Sequence, residues 1–308
     1  MRTITRYLDG TLHIYQVTVH AESLTPVASY SINTDDKELN HAIAPGLERL
    51  VYATNHSIVC LDQKGNVQWR YAFEPASTER WIRPPECAFS LDGAWLWVYR
   101  PDAMNDRGPD LLAVLHASTG QVAATIELDS VGEAGWIILH PDGRHILLGV
   151  GEGQDGGKVY LATLSANHDR VNLHHYGWND RALIDISPDG NRFMTVDHGR
   201  DDVAFHAFPS GEVMLRLPVA AFNDADEEAL IDYTGGFIHS DIAVVTLAGE
   251  TDDEEWHRHY PIDLHSGQPQ GSFEAHSQNS YDFEPLGDGT WIVSDESGRP
   301  VRLQLPEM

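Results

Sequence analysis

The 17 histidines of this 308-residue chain are the first residues to weigh for chemistry. Two spots are dense, His174-His175 and the His-Arg-His run at 257–259. Residues two apart share a face of a β-strand, so His257 and His259 could ligate one ion together. No third ligand can be assigned to either spot, and exposed strand histidines are the plainer explanation. The chain has no HExxH and no GxSxG. "GVGEGQDGGK" at 149–158 is glycine-rich, but it joins two strand-like runs instead of opening a helix. It reads as a loop and not as a nucleotide site. Two cysteines, Cys60 and Cys87, are too few for a cysteine metal cluster. They read as buried thiols in a reducing compartment. No cofactor is expected.

The eight tryptophans point to recognition. Trp69, Trp95, Trp97, Trp136 and Trp291 lie in apolar strand-like runs, where packing accounts for them. Trp81, Trp178 and Trp256 lie in connections. "ERWIRPPE" at 79–86 and "YGWNDRA" at 176–182 each place an arginine, Arg83 or Arg181, shortly after the tryptophan. Tryptophan and arginine dominate binding hot spots. The candidate contact set is therefore Trp81, Arg83, Arg100, Trp178, Arg181, Arg200 and Trp256. The competing account makes each tryptophan a structural plug and pairs each arginine with a nearby acid.

The elements that must carry these residues are strands. "IDISPDGNRFMTVD" at 184–197 alternates apolar and polar residues on both sides of a Pro-Asp-Gly turn, the pattern of a hairpin. It recurs as "CAFSLDGAWLWVYR" at 87–100, "WIILHPDGRHILLGV" at 136–150 and "DFEPLGDGTWIVSD" at 282–295. The turn glycines Gly93, Gly143 and Gly190 recur roughly every 47–50 residues, and Gly289 follows about two periods later. A copy without the glycine, "GFIHSDIAVVTLAG", fills the gap at 236–249. Upstream, "HAIAPGLERLVYAT" at 41–54 puts Gly46 in the turn. Each copy is followed by a second hairpin, as in "LLAVLHASTGQVAATIEL" at 111–128, where glycine supplies the positive φ of a tight turn. Helical periodicity is nearly absent; the acidic stretch at 223–233 could hold at most one short turn.

The "FSLDG", "HPDG" and "SPDG" turns, each followed by a second hairpin, resemble the WD40/YVTN class of repeats. "IVCLDQKGNVQWRYAF" is similar to the repeat of quinoprotein-type propellers. The resemblance runs from about residue 39 to the end. It implies an all-β chain, a single β-propeller domain over 1–308 built of four-stranded blades. The WD40 signature pairs Gly-His and Trp-Asp are missing. That family's Asp-His-Ser/Thr-Trp network therefore does not carry over. With "RTITRYLDGTLHIYQVTV" as a shortened first unit around Gly10, seven blades are expected; six blades plus an N-terminal extension is the alternative. The last unit is one strand short, and closure by pairing strands from the two termini is expected.

In this register the innermost strands carry His41, Glu86, His140, Asp185, His239 and Asp282. Such a set could hold a divalent cation or simply line a wet channel. The chain carries 20 Lys+Arg against 47 Asp+Glu, a formal charge of −27. That balance repels phosphate backbones and favours basic partners. No apolar run approaches the ~20 residues of a membrane span, and the first residues carry no signal-peptide core. The expectation is a cytoplasmic, non-catalytic scaffold that binds a protein or peptide, with a basic one favoured, and neither nucleic acid nor membrane. The alternative is a channel-site enzyme resembling metal-dependent lactonases or lyases.

Overall fold

A computed structural model of the chain describes residues 2–8, 10–17, 24–32, 40–79, 81–222, 229–251 and 254–305. These form seven antiparallel sheets in chain order, the blades of a β-propeller fold. Blade one is β1 (Arg2–Leu8), β2 (Thr11–Val17) and β3 (Pro26–Ser31). Blade two is β4 (Asn40–Ile43), β5 (Arg49–Ala53), β6 (Ser57–Asp62) and β7 (Val67–Ala72). Blade three is β8 (Glu86–Phe89), β9 (Trp95–Arg100), β10 (Leu111–His116) and β11 (Val122–Glu127). Blade four is β12 (Ala134–Leu139), β13 (His145–Gly151), β14 (Gly157–Leu164) and β15 (Val171–His175). Blade five is β16 (Arg181–Ile186), β17 (Arg192–Asp197), β18 (Asp202–Ala207) and β19 (Val213–Pro218). Blade six is β20 (Leu230–His239), β21 (Ile242–Thr251), β22 (Glu254–Asp263) and β23 (Gln268–Pro269). Blade seven is β24 (Glu284–Pro285), β25 (Thr290–Ser294) and β26 (Pro300–Gln304). Among the described residues the only helical elements are three short 3-10 turns. Residues 223–228 of the acidic stretch lie outside the described residues, and β20 begins at Leu230.

The chain packs as two compact units, one of Met1–Arg6, Ile14–Val27 and Asp180–Met308, the other of Tyr7–His13 and Ala28–Asn179. In the second unit β8 neighbours both β4 and β12; in the first, β20 neighbours both β16 and β24. The middle strands of a blade are covered on both faces. They read as unbroken apolar runs, such as "WLWVYR" in β9, buried from its second residue on. The outer strands β7, β11 and β19 alternate instead, because one face meets solvent. Blades two and three share Val51, Cys60, Cys87, Val98 and Ala113. Both cysteines are free and buried there, and burial pushes the Cys60 thiol up to about 12. Blades three and four share Tyr99, Val114, Leu148 and Tyr160. Five and six meet through Met194, Phe205, Phe237 and Val245. Blade one packs Ile4, Tyr15 and Val17 on Ile292 of blade seven, and Arg6 reaches Glu284 at 3.5 Å.

The repeated turn has one geometry. Gly93, Gly143 and Gly190 sit between the first two strands of blades three, four and five at φ of 69°, 69° and 73°. In each, the glycine N–H donates to the carbonyl three residues earlier, at Ser90, His140 and Ser187. Gly289 holds φ 91° in blade seven, but its N–H donates to Ile238 of the neighbouring blade. Blade two corrects the expected register by one residue. Its equivalent bond runs from Leu47 to Ala44, and Leu47 takes the positive φ of 61°. Gly46 therefore aligns with the aspartate of the other turns and not with their glycine.

Candidate functional site

Arg200 and Trp256 line one open groove of about 800 Å³ in the unit that ends at residue 308. Trp256 sits on β22 directly opposite Gly249 of β21. Only glycine leaves room for it: a Cβ at 249 would lie 2.5 Å from the indole. The Arg258 guanidinium covers the ring 4.6 Å from its centroid, a cation–π contact that fixes the indole in place. The indole N–H is buried and has no hydrogen-bond partner among the described residues. Arg200 is itself held at φ 63° in the β17–β18 turn. Its guanidinium donates to Ile231 O at 3.0 Å and pairs with Asp232 at 3.3 Å.

The loop from β23 to β24 completes the groove with Gln278, Asn279 and Tyr281. Tyr281 is 72 % exposed. The loop is shaped by Asn279, whose side chain accepts the Tyr281 N–H at 2.9 Å, and by Asp282, which accepts the Ser294 N–H at 2.8 Å. The acids Asp232, Glu250 and Glu255 lie along the groove and outnumber Arg200. An indole, an exposed phenol, carboxamides and a net negative rim suit a peptide with a basic side chain.

The other candidate residues separate into buried and exposed groups. Arg100 is 4 % exposed. It pairs with Asp102 at 2.9 Å, donates to Tyr71 Oη at 2.8 Å and lies 5.0 Å over the Phe73 ring. Arg181 is also 4 % exposed and donates to Thr195 and to Asp202, the latter at 2.6 Å. Arg100 of blade three ties into blade two through Tyr71, whereas Arg181 holds the strands of blade five together. Arg83 pairs with Glu133 at 3.3 Å, and its backbone is clamped by the Asn105 carboxamide. Trp81 beside it is 74 % exposed. Trp178 is half-buried and stacks on Tyr176 at 4.8 Å.

Among the described residues, the one close group of metal-ligand side chains contains only His140 of the expected inner-strand set. Glu86 accepts a bond from Asn40, and burial pushes its carboxyl up to about 8. Asp185 accepts the Phe237 N–H at 2.8 Å, and burial lifts its carboxyl to about 6. His140 lies one residue beyond β12, in the turn, and Asp282 lies before β24. Of the His-Arg-His run, His257 lies in the groove and meets Ser277 Oγ at 2.9 Å. His259 packs on Phe283 in the core at 4.8 Å, and burial lowers it to about 3. The sequence reading missed Tyr281; its signal, an exposed aromatic in "HSQNSYDF", is visible only once the loop is placed.

No protein-family model matches the chain, and no curated protein matches it. Among solved structures it is similar to Chaetomium thermophilum Sqt1 bound to the N-terminus of ribosomal protein L10, at 16% identity and a TM-score of 0.55, over 87% of this chain and 75% of that one. It is similar to U3-55K at 11% identity and a TM-score of 0.55, over 98% and 92%. BamB from Moraxella catarrhalis gives 13% identity and a TM-score of 0.52, over 98% and 81%. The likeness is one of fold, and the chain's own fold is a seven-bladed β-propeller. At these identities the likeness speaks for fold and leaves the site to its own chemistry.

Proposed function

We propose that this protein is a non-catalytic β-propeller scaffold that captures a basic peptide segment of a protein partner in the Trp256–Tyr281 groove. The observation that carries the reading is the convergence of Trp256, Tyr281 and Arg200 on one open groove whose acids outnumber its cations. Sqt1, of similar fold, binds the N-terminus of a ribosomal protein, which supports peptide capture as a use of this architecture. The aromatic pair supplies contact area, the carboxamides hold the peptide backbone, and Glu250 and Glu255 select a positive side chain. The overall charge of −27 steers basic partners and disfavours nucleic acid.

The test is binding of a fluorescent peptide library, basic and acidic, to the wild type and to Tyr281→Ala. Basic peptides should bind, and loss of the exposed phenol should weaken them at least tenfold without shifting the thermal melt. Equal capture of acidic and basic peptides, or unchanged binding by Tyr281→Ala, would overturn the reading.

A further inference from the structure

Blade four carries two imidazoles where its neighbours carry one hydroxyl. In blade three the Ser90 hydroxyl donates to Asp92 at 2.6 Å and accepts the Trp95 N–H at 3.0 Å. In blade five Ser187 does the same with Asp189 at 2.6 Å and the Arg192 N–H at 2.9 Å. The equivalent residues in blade four are His140, Asp142 and His145, within the run "HPDGRH". The turn does not require histidine at either place, since serine with tryptophan or arginine builds the same backbone twice.

Histidine changes what surrounds the aspartate. His140 Nδ1 lies 3.0 Å from Asp142 Oδ1, and His145 Nδ1 lies 2.6 Å from Oδ2. One ligand atom from each of the three residues lies within 4.8 Å of the others. Zinc bonds of about 2.0–2.1 Å would set tetrahedral neighbours about 3.4 Å apart, so the donors need only small rotations to close on an ion. The carboxylate is anchored from behind by the backbone N–H groups of Arg144 at 2.8 Å and His145 at 3.1 Å. Both imidazoles also line a cavity of about 390 Å³, which leaves room for the water that completes a three-ligand zinc sphere.

The geometry points to a divalent transition-metal site formed by His140, Asp142 and His145, with zinc as the ion its two-nitrogen, one-oxygen donor set suits. In the metal-free protein His140 Nδ1 accepts the Asp142 N–H at 3.1 Å, a bond that the ion would replace on binding. This site is separate from the peptide groove and does not depend on it.

The full-length protein, stripped with chelator, is titrated with Co²⁺ while its visible spectrum is read, and Zn²⁺ is then added in competition. The wild type should take up one equivalent with a d–d spectrum of low coordination number, and Zn²⁺ should displace it. His140→Ser and His145→Arg install the residues of blade five, so the turn should persist; each should weaken binding about a hundredfold. His257→Gln, which alters a histidine outside the site, should leave the equivalent in place. If the wild type takes up no stoichiometric ion, or if both substitutions bind as the wild type does, the site does not exist. Should His140→Ser fail to fold, as read by its thermal melt, His145→Arg decides by the same spectrum.

Discussion

At the scale of single residues, geometry separates two kinds of glycine. Gly65 has φ +80° and open space where a Cβ would point, whereas Gly120 has φ +70° and the Trp69 ring 2.5 Å away. Trp69 cannot yield easily, since it is buried and its indole N–H donates to Ala117 O at 3.0 Å. Gly65→Ala should cost only the left-handed strain, about 1–2 kcal/mol. Gly120→Ala adds overpacking of about 1–3 kcal/mol. Urea titration of the two variants should place Gly120→Ala clearly below Gly65→Ala; equal midpoints would mean that the indole can move. Single half-buried acids also shape the pH response. Glu86 rises to about 8 because burial outweighs its bond from Asn40. The folded chain therefore holds a proton that the unfolded chain has released above about pH 4.3, and stability falls as pH rises through this window. Between pH 7 and 8 the loss is about 1 kcal/mol. Glu86→Gln, which keeps the acceptor for Asn40, should abolish it. Burial lowers His206 to about 4 and His259 to about 3, so these act with the opposite sign. Their contribution is present above about pH 6.5 and is lost on acidification. Asp185, raised to about 6, offsets part of that acid loss. Unfolding free energies of the wild type and Glu86→Gln at pH 7 and 8 check the alkaline arm; parallel slopes would remove Glu86 from the account.

At the scale of the element, the unit is the hairpin turn closed by a serine–aspartate pair. Ser187 is fully buried, and its hydroxyl both donates and accepts within the turn. Ser187→Ala strands the Arg192 N–H and should cost about 1–3 kcal/mol. Thermal denaturation measures it, and a loss near zero would mean that the glycine alone sets the turn. This local chemistry is why the blades are legible in the sequence: Pro-Asp-Gly needs only adjacent residues to act. Legibility failed where a partner lies far along the chain or where two residues compete for one role. In blade two, Gly46 looks like the turn glycine, yet Leu47 takes the positive φ and Gly46 the aspartate's place. Arg100 and Arg181 look like surface arginines beside connections. Their burial is decided by Tyr71 and Asp202, which the sequence separates from them by 29 and 21 residues. The groove was half legible, since Arg200 and Trp256 stood out by type, whereas Tyr281 joins them only through the loop that Asn279 and Asp282 shape.

For the whole molecule, the governing quantity is a charge of −27 on 308 residues. A field of that size attracts any basic partner at long range, so slow capture at high salt would by itself say nothing about a particular groove. Two substitutions with the same effect on net charge separate the global field from the local site. Glu255→Lys changes the groove, and Glu212→Lys changes the exposed β18–β19 turn. Both shift the net charge by two, so both should slow association of a basic peptide to a similar degree. Only Glu255→Lys should also speed dissociation, because only there does the lysine face the bound cation across a short, partly desolvated distance. Raising salt to 1 M, where the screening length falls to about 3 Å, should erase the difference in association rates. The difference in dissociation rates should survive, since charges in direct contact are screened far less. Stopped-flow association and dissociation of one basic peptide at low and high salt supply four rates for each variant. If the two variants dissociate alike, the groove acids select nothing, and the partner is held by the general acidity of the surface.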